Sequence, residues 1–296
     1  MFIGCGTALV SPFRSDLSLD ESTLRFLIRR QVDAGIDFLC PCGTTGESPT
    51  LSREEHLRVA EITVEEARGR VPVLAGAGGY DTRHVIELIS ELGKLGVDGI
   101  LSVTPYYNKP TQEGLYQHYR AIAESTSLPV IVYSVPGRTA VNVEPSTLCR
   151  LAEIPNIIGV KEASGSISQM SSILARVPES FTVLSGDDAI AVPLTALGGR
   201  GVISVISNEI PAEFVELTRL AIKGDYANAR RLQRKYQELM ELNFIESSPG
   251  PVKFAMSRMN LLSPVWRLPL VPPQKQSQEK IEAALERLGL LSGVRA

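Results

Sequence analysis

Lys161 is the residue whose type and position most strongly indicate chemistry. It lies near the end of the apolar run Ile157-Ile158-Gly159-Val160-Lys161-Glu162, which has the composition of a buried strand. An amine enclosed by apolar groups is more easily neutral, and a neutral amine can attack a ketone to form a Schiff base. Two structural alternatives stay open from the strand alone: a lysine that reaches water from the strand end, or a buried ion pair with Glu162.

Other side chains suited to proton transfer or carboxylate binding follow different apolar runs. Thr44 and Thr45 lie in Gly43-Thr44-Thr45-Gly46-Glu47-Ser48, and Tyr107 lies in Tyr106-Tyr107-Asn108-Lys109-Pro110. Tyr133 and Arg138 lie in Tyr133-Ser134-Val135-Pro136-Gly137-Arg138-Thr139. Each also has an ordinary structural interpretation: a capped tight turn for the threonines, a rim position for the tyrosines and a surface position for the arginine.

Side-chain alternation predicts how Lys161 and Tyr133 are arranged. In an extended strand Ile157, Gly159 and Lys161 share one face, as do Ile131 and Tyr133 in the preceding strand. If both faces point inward, Gly159 leaves space beneath the lysine. The phenol of Tyr133 then stands beside the amine, where it can move protons during Schiff-base chemistry. Hydroxyl groups of Thr44 or Thr45 and of Tyr107 would extend that proton relay.

The elements that must position these residues alternate between short apolar runs and amphipathic stretches. Eight such strand-helix units in succession predict a closed (β/α)8 TIM barrel of the α/β class. An open doubly wound sheet is less consistent, because Ser11-Pro12-Phe13-Arg14 stands where a glycine-rich dinucleotide turn is expected. The expected strands are residues 3–10, 38–42, 71–76, 99–104, 130–134, 157–162, 182–185 and 201–205, and the clearest helices are residues 20–34, 53–68, 82–95 and 111–125.

The pattern changes after the eighth unit. Residues 225–242 form one long helical stretch, residues 251–259 and 276–288 also have helical patterns, and a proline-rich connection covers residues 268–273. We therefore expect a catalytic barrel over residues 1–223 and a C-terminal helical domain over residues 224–296. In a barrel of this type, functional residues gather at the carboxyl ends of the strands, which selects the residues named above.

Composition excludes several other functions. The chain has 296 residues and a formal net charge of −3 without a basic stripe, so no nucleic-acid partner is expected. The N-terminus lacks the features of a signal peptide, and no apolar stretch is long enough to span a bilayer, so we expect a cytoplasmic protein. The four cysteines have no zinc spacing, and the three histidines lie far apart on expected helices, so no metal is expected.

Together these motifs resemble the dihydrodipicolinate synthase branch of the pyruvate-dependent class I aldolases, a group that includes N-acetylneuraminate lyase. The resemblance covers nearly the whole chain. Besides the three loops quoted above, the matching segments are Gly159-Val160-Lys161-Glu162, Leu184-Ser185-Gly186-Asp187-Asp188, Gly201-Val202-Ile203-Ser204 and Pro251-Val252-Lys253. Any one of these is a weak signal, but their order and spacing along eight units are specific.

The resemblance implies a lysine-biosynthesis enzyme that condenses pyruvate with L-aspartate-4-semialdehyde to give 4-hydroxy-tetrahydrodipicolinate, without metal or organic cofactor. It implies that Lys161 forms the Schiff base with pyruvate and that Tyr133 is the central acid and base. Thr44 and Tyr107 would complete the relay, with Tyr107 supplied by a neighbouring subunit of a homotetramer built from two dimers. The substrate-binding residues would be Thr45 for the pyruvate carboxylate, Arg138 for the semialdehyde carboxylate, and the backbone at Gly186 and Ile203.

Alternatives and departures remain beside this resemblance. A sugar-acid lyase of the same superfamily is the second hypothesis, since Ala163-Ser164-Gly165-Ser166 could bind some hydroxyl groups. A silent pyruvate-binding barrel and a metal-dependent aldolase fit the residues less well. Ser134 stands where the family usually has Asn. Relatives inhibited by lysine typically carry Asn and Glu at the positions of Tyr80 and His84, although Ser48, His56 and Tyr106 match, so we expect weak or absent inhibition by L-lysine.

Overall fold

The computed structural model describes residues 2–291 and confirms the predicted barrel. Eight parallel strands lie in the order β2-β1-β8-β7-β6-β5-β4-β3. A parallel bridge between Leu39 and Val73 joins the two outermost strands and closes the barrel. The strands are β1 (Gly4–Ala8), β2 (Phe38–Cys40), β3 (Leu74–Gly76), β4 (Gly99–Val103), β5 (Val130–Ser134), β6 (Ile157–Glu162), β7 (Thr182–Ser185) and β8 (Gly201–Ser204).

Helices follow every strand and form the outer layer. Six of the twelve described helices begin at a side chain that accepts a backbone hydrogen bond, as Ser52 does in a reciprocal capping box with Glu55. The described helices are α1 (Glu21–Asp33), α2 (Arg53–Ala67), α3 (Thr82–Lys94), α4 (Gln112–Glu124), α5 (Pro136–Thr139), α6 (Pro145–Leu151), α7 (Ile167–Leu174), α8 (Ala191–Ala196), α9 (Pro211–Ile222), α10 (Tyr226–Leu242), α11 (Gly250–Arg258) and α12 (Lys275–Arg287).

Strand alternation produces two apolar layers. Ile131, Leu184 and Ile203 point into the barrel, whereas Val130 and Val132 pack against the helices. Because parallel strands covered on both faces have no solvent side, they are mostly apolar.

The prediction that Ile157 shares the inner face with Gly159 and Lys161 is wrong. The register between β5 and β6 shifts between Val130 and Ile131, so Val130 pairs with Ile157 while Ile131 already pairs with Gly159. One extra residue in a strand inverts the alternation on one side of it. Ile157 therefore packs in the outer layer, and Ile158 packs against the interior.

The C-terminal helices pack onto the barrel wall. Residues 223–225 connect α9 to α10, and these two helices pack together, while α12 contacts both α10 and α11. We propose the division between residues 223 and 224 as an architectural boundary. None of the helices in residues 2–291 combines the length and apolar character that a membrane crossing requires.

Candidate active site

Lys161 and Tyr133 form the centre of the candidate site. They are register partners on adjacent strands, and the Nζ atom of Lys161 lies 4.2 Å from the centroid of the Tyr133 ring. Lys161 is 6% exposed and stands above the barrel interior, where Cys40, Leu184 and Ile203 belong to the same apolar cluster as Tyr133. This surrounding is dry: burial raises the pKa of the Cys40 thiol to about 11. The predicted placement of the amine beside the phenol is thus present.

The neighbouring carboxylate of Glu162 belongs to a different network. Its side chain accepts a 2.8 Å hydrogen bond from Nε2 of Gln169 and is also bonded to the backbone N–H of Ser164. Successive residues of a strand point to opposite faces, so Glu162 lies on the helix side of β6. Burial raises its pKa. The alternative ion pair between Lys161 and Glu162 is absent from the described residues.

Gly186 lets the chain after β7 approach the lysine closely. A Cβ atom at this position would lie 2.6 Å from Cβ of Ala163 and 3.2 Å from Cε of Lys161. The glycine therefore leaves the lysine stem room, and its backbone N–H donates a 2.7 Å hydrogen bond to the carbonyl of Glu162. At Gly159, by contrast, the added Cβ would meet the carbonyl oxygen of Thr182 at 2.3 Å, so the approach of β7 explains that glycine better than space for the lysine.

A cavity of about 330 Å³ opens at the carboxyl ends of the strands. Thr44, Tyr133 and Arg138 line it, although they come from three different loops or strands. Its wall also includes Ser48 and His56, two of the residues that match the regulatory site of lysine-inhibited relatives. The cavity thus combines a phenol, a hydroxyl and a guanidinium group within reach of one small molecule.

The two threonines lie in a tightly hydrogen-bonded turn after β2. The backbone N–H of Gly46 donates to the carbonyl of Gly43, and that of Glu47 donates to the carbonyl of Thr44. Each of these hydrogen bonds is 3.1 Å long. Thr44 faces the cavity, whereas Thr45 is buried. The turn is therefore more than a surface connection: it places Thr44 in the wall of the cavity that Tyr133 also lines.

Arg138 lies on the short helix α5, directly after β5. Its Nη2 donates a 3.1 Å hydrogen bond to the backbone carbonyl of Ser248, and the residue lines the cavity. Ser134, the residue that departs from the family pattern, is fully buried and accepts a 3.2 Å hydrogen bond from the N–H of Val143. That bond joins the two ends of the segment that carries Arg138, so Ser134 supports the segment without entering the cavity.

Tyr107 is a predicted site residue that does not line this cavity. Its side chain is 91% exposed, and its backbone has a φ of 72°. A non-glycine residue in this left-handed region costs about 1 kcal/mol, and an exposed aromatic ring gains no hydrophobic free energy from burial. The adjacent Tyr106 lines the cavity and contacts Tyr80 edge-on, with 5.5 Å between ring centroids.

Sequence reasoning missed two buried charged residues that support the site. Asp188 accepts hydrogen bonds from the N–H groups of Val205 and Ile206 at 3.0 and 2.9 Å, which fixes the chain just beyond Ile203. Burial raises the pKa of Asp188 to about 6. The sequence predicts that Lys253 lies outside the barrel; it does lie on helix α11, but its ammonium group pairs with Glu47 of the loop after β2, residues 43–48, hereafter the threonine loop. The motifs that contain both residues were visible, but their contacts were not.

Comparisons with known proteins agree with the motifs. A family model described as the dihydrodipicolinate synthetase family matches residues 1–288. A 4-hydroxy-tetrahydrodipicolinate synthase of Koribacter versatilis is 52% identical over 97% of this chain and 96% of that protein. The solved structure of a chloride-inhibited dihydrodipicolinate synthase from Acinetobacter baumannii, complexed with pyruvate, has a TM-score of 0.96 and 42% identity, covering 98% of this chain and 100% of that one. A solved monomeric dihydrodipicolinate synthase variant also has a TM-score of 0.96 and 42% identity, with 98% of each chain covered.

Proposed function

This chain belongs to the dihydrodipicolinate synthetase family, and we propose that it performs the family reaction with the side chains assembled around Lys161. The protein is a lyase that condenses pyruvate with L-aspartate-4-semialdehyde to give 4-hydroxy-tetrahydrodipicolinate. The observation that carries the proposed chemistry is the buried amine of Lys161 held against the Tyr133 phenol. The names of the relatives favour this reaction over the sugar-acid lyase alternative.

The first half of the reaction activates pyruvate. The Lys161 nitrogen attacks the ketone carbon, and the carbinolamine loses water to form an imine. Loss of a methyl proton then gives an enamine, a carbon nucleophile. Each step moves a proton close to the lysine nitrogen, which is where Tyr133 lies. We assign Tyr133 as the acid and base, with Thr44 as its partner at the cavity wall.

The second half builds the ring. The enamine carbon attacks the aldehyde of the semialdehyde, forming the new C–C bond and a hydroxyl group. The amino group of the semialdehyde then attacks the imine carbon and displaces Lys161, so the overall reaction releases one water. No step in this sequence calls for a metal or organic cofactor. Arg138 binds the semialdehyde carboxylate, because a planar guanidinium matches a carboxylate and keeps its charge.

We place pyruvate beside Lys161. We assign its carboxylate to the threonine loop, through Thr45 and the backbone beside it. The close backbone at Gly186 and the side of Ile203 complete the wall around the lysine. This arrangement is supported by the buried positions of these residues and by the pyruvate complex of the Acinetobacter baumannii relative.

Assembly completes the relay in this proposal. We assign Tyr107 to the site of a neighbouring subunit, because it is exposed and separated from the cavity of its own chain. A two-fold dimer then receives the same contribution in both directions, and two such dimers form a tetramer. One solved relative is a monomeric variant, so the shared fold does not by itself fix the assembly.

The test is a coupled assay with pyruvate and L-aspartate-4-semialdehyde, in which a downstream reductase reports product through NADPH oxidation. A parallel sample receives pyruvate and borohydride and is examined by intact mass and peptide mapping. We expect turnover and a single reduced adduct on Lys161, both lost in Lys161→Ala. Pyruvate trapped on Lys161 without turnover would leave the Schiff-base chemistry in place and overturn the synthase. Turnover that survives Lys161→Ala would overturn the assigned nucleophile.

A further inference from the structure

The ion pair between Glu47 and Lys253 is completely enclosed by protein. Both side chains have 0% exposure, and the Nζ atom of Lys253 contacts Oε1 of Glu47 directly. The ammonium group also lies 4.5 Å from the centroid of the Phe13 ring. Taking two charges out of water costs several kcal/mol per ion, and an apolar pair of similar volume is often at least as stable. Stability alone is therefore a weak reason for these residues, and a geometric role is a stronger one.

Glu47 is directly connected to the peptide groups that hold Thr44. Its N–H donates a 3.1 Å hydrogen bond to the Thr44 carbonyl, and its own carbonyl accepts a 2.9 Å hydrogen bond from the N–H of Thr50. Glu47 has a left-handed φ of 54°, which a non-glycine residue adopts only when its surroundings hold it there. The side chain that anchors this residue is the one paired with Lys253. A displaced Glu47 therefore moves Thr44.

A second cation, Arg267, also holds the chain next to the threonine loop. The Arg267 guanidinium lies 4.1 Å from the Phe13 ring, on which Lys253 also stacks. Arg267 forms an ion pair with Glu55 and donates a 2.8 Å hydrogen bond to the carbonyl of Thr50. The C-terminal part of the chain thus holds the threonine loop at Glu47 through α11, and holds Thr50, just after the loop, through Arg267.

We propose that the Glu47–Lys253 pair is a positioning device through which α11 sets the placement of Thr44 and Thr45 for pyruvate. This inference rests on the function proposed above. Neither charged group reaches the cavity, since both are fully enclosed, so they act through the loop and not on the substrate. The C-terminal helices are in this sense part of the pyruvate site. Burial lowers the pKa of Lys253, which Glu47 opposes, in keeping with mutual dependence of the two groups.

The decisive experiment compares Glu47→Gln with the double variant Glu47→Gln/Lys253→Met. The single variant leaves a lone buried ammonium group, and we expect its Tm to fall by about 5–10 °C. The double variant removes both charges, so its Tm should return close to the wild-type value. If the pair positions the loop, kcat/KM for pyruvate stays about 10- to 100-fold low in the double variant, while KM for the semialdehyde stays within about two-fold. Arg138, which binds the semialdehyde, lies on a separate loop.

A matched control removes a buried carboxylate far from the site. Glu66 pairs with Arg25 and Arg29 between α1 and α2 and is also largely buried. Glu66→Gln should lower Tm without changing KM for pyruvate. All rates are normalised to the amount of folded protein, measured by far-UV circular dichroism. Should the single variant fail to fold, the double variant decides the question, since it contains no unpaired charge.

Two results would overturn the inference. One is a double variant that recovers both Tm and kcat/KM for pyruvate. The other is an equal loss of affinity for both substrates, which indicates general disorder. If the wild-type protein shows no turnover but still traps pyruvate on Lys161, the proposed function fails while this inference stays testable. The pyruvate concentration that gives half-maximal borohydride trapping then replaces KM, with the same expected shift in the double variant.

Discussion

The loops after β2 and β4 carry hydroxyl groups assigned to the same relay, but the first loop is anchored inside the subunit and the second is exposed. The β2 loop, residues 43–48, is closed by its own backbone hydrogen bonds and anchored at Glu47 by an enclosed ion pair. The β4 loop, residues 104–110, presents Tyr107 to water with left-handed backbone at Tyr107 and Lys109. One loop is completed within the subunit, whereas the other has the features of a contact that a second subunit completes.

The largest effect is expected when the hydroxyl groups of Thr44 and Tyr107 are removed, which tests whether they belong to one relay across two subunits. Thr44→Val and Tyr107→Phe should each lower kcat about 10²- to 10³-fold, because each removes one proton-transferring hydroxyl. A statistical mixture of the two variant chains should recover about one quarter of wild-type activity, since half of the dimers are mixed and each mixed dimer has one complete site. Steady-state kinetics after subunit exchange measures this.

Tyr116→Phe provides the control for that experiment, because this tyrosine stacks with Arg150 and a phenyl ring preserves the stacking face. It should behave as the wild type. Two inactive variants whose mixture stays inactive would place Thr44 and Tyr107 in the same subunit and remove the distinction between the loops.

The loop after β5 provides a third case, in which the substrate-binding group is held by the chain but left facing the cavity. Arg138→Ala should raise KM for the semialdehyde about 10- to 100-fold, the loss expected for a charge-assisted hydrogen bond, and should change KM for pyruvate little. Arg120→Ala, on the exposed face of α4 where Arg120 pairs with Glu124, should change neither value. A larger effect of Arg138→Ala on pyruvate than on the semialdehyde would reverse the assignment of the two carboxylates.

A smaller effect concerns the region beside the β4 loop. Asn108 donates a 3.0 Å hydrogen bond to the carbonyl of Tyr80, and His84 is exposed near Asp81. His84 stands where lysine-inhibited relatives typically carry Glu, so that position offers no carboxylate to pair with a lysine amino group. We expect activity to change less than about two-fold at 1 mM L-lysine, and Tyr80→Asn/His84→Glu to gain sensitivity through the added ion pair. A clear inhibition curve for the wild type at sub-millimolar lysine would contradict this.

The last effect is on stability and not on activity, and it concerns the scaffold under the β4 loop. His118 on α4 is hydrogen-bonded to Thr82 at the start of α3, and burial lowers its pKa to about 4 from 6.5. Between about pH 4 and pH 6.5, His118 is therefore protonated in the unfolded chain and neutral in the folded chain. Stability should fall as pH drops from about 6.5 toward 4, by up to about 1 kcal/mol per pH unit.

Urea unfolding of the wild type and of His118→Gln at several pH values isolates this contribution. The raised pKa of Asp188 has the opposite sign, since it favours the folded state at lower pH, but it acts in both proteins and cancels in their difference. A difference between the two proteins that does not change with pH would show that His118 does not titrate as its burial implies.

Much of the fold and the chemistry could be predicted from local pattern. The expected bounds of β5, β6 and β7 are those observed, and α1 to α4 differ from expectation by a residue or so at their ends. Lys161, Tyr133, Thr44 and Arg138 were selected because strand ends and loop residue types were visible in the chain. The face of Ile157 was predicted wrongly, because a bulge depends on how β6 meets its neighbour and not on its own alternation.

The sequence by itself determined the alternation of eight strands and helices, the buried lysine near a strand end and the family of the reaction, because these depend on residues close together in the chain. Only the tertiary structure decided which distant side chains meet. Glu47 and Lys253 are 206 residues apart, and the packing of α11 onto the barrel brings them together. Closure of the barrel gathers Thr44, Tyr133 and Arg138 around one cavity and leaves Tyr107 outside it. Such contacts depend on strand register and helix packing, which no local pattern encodes.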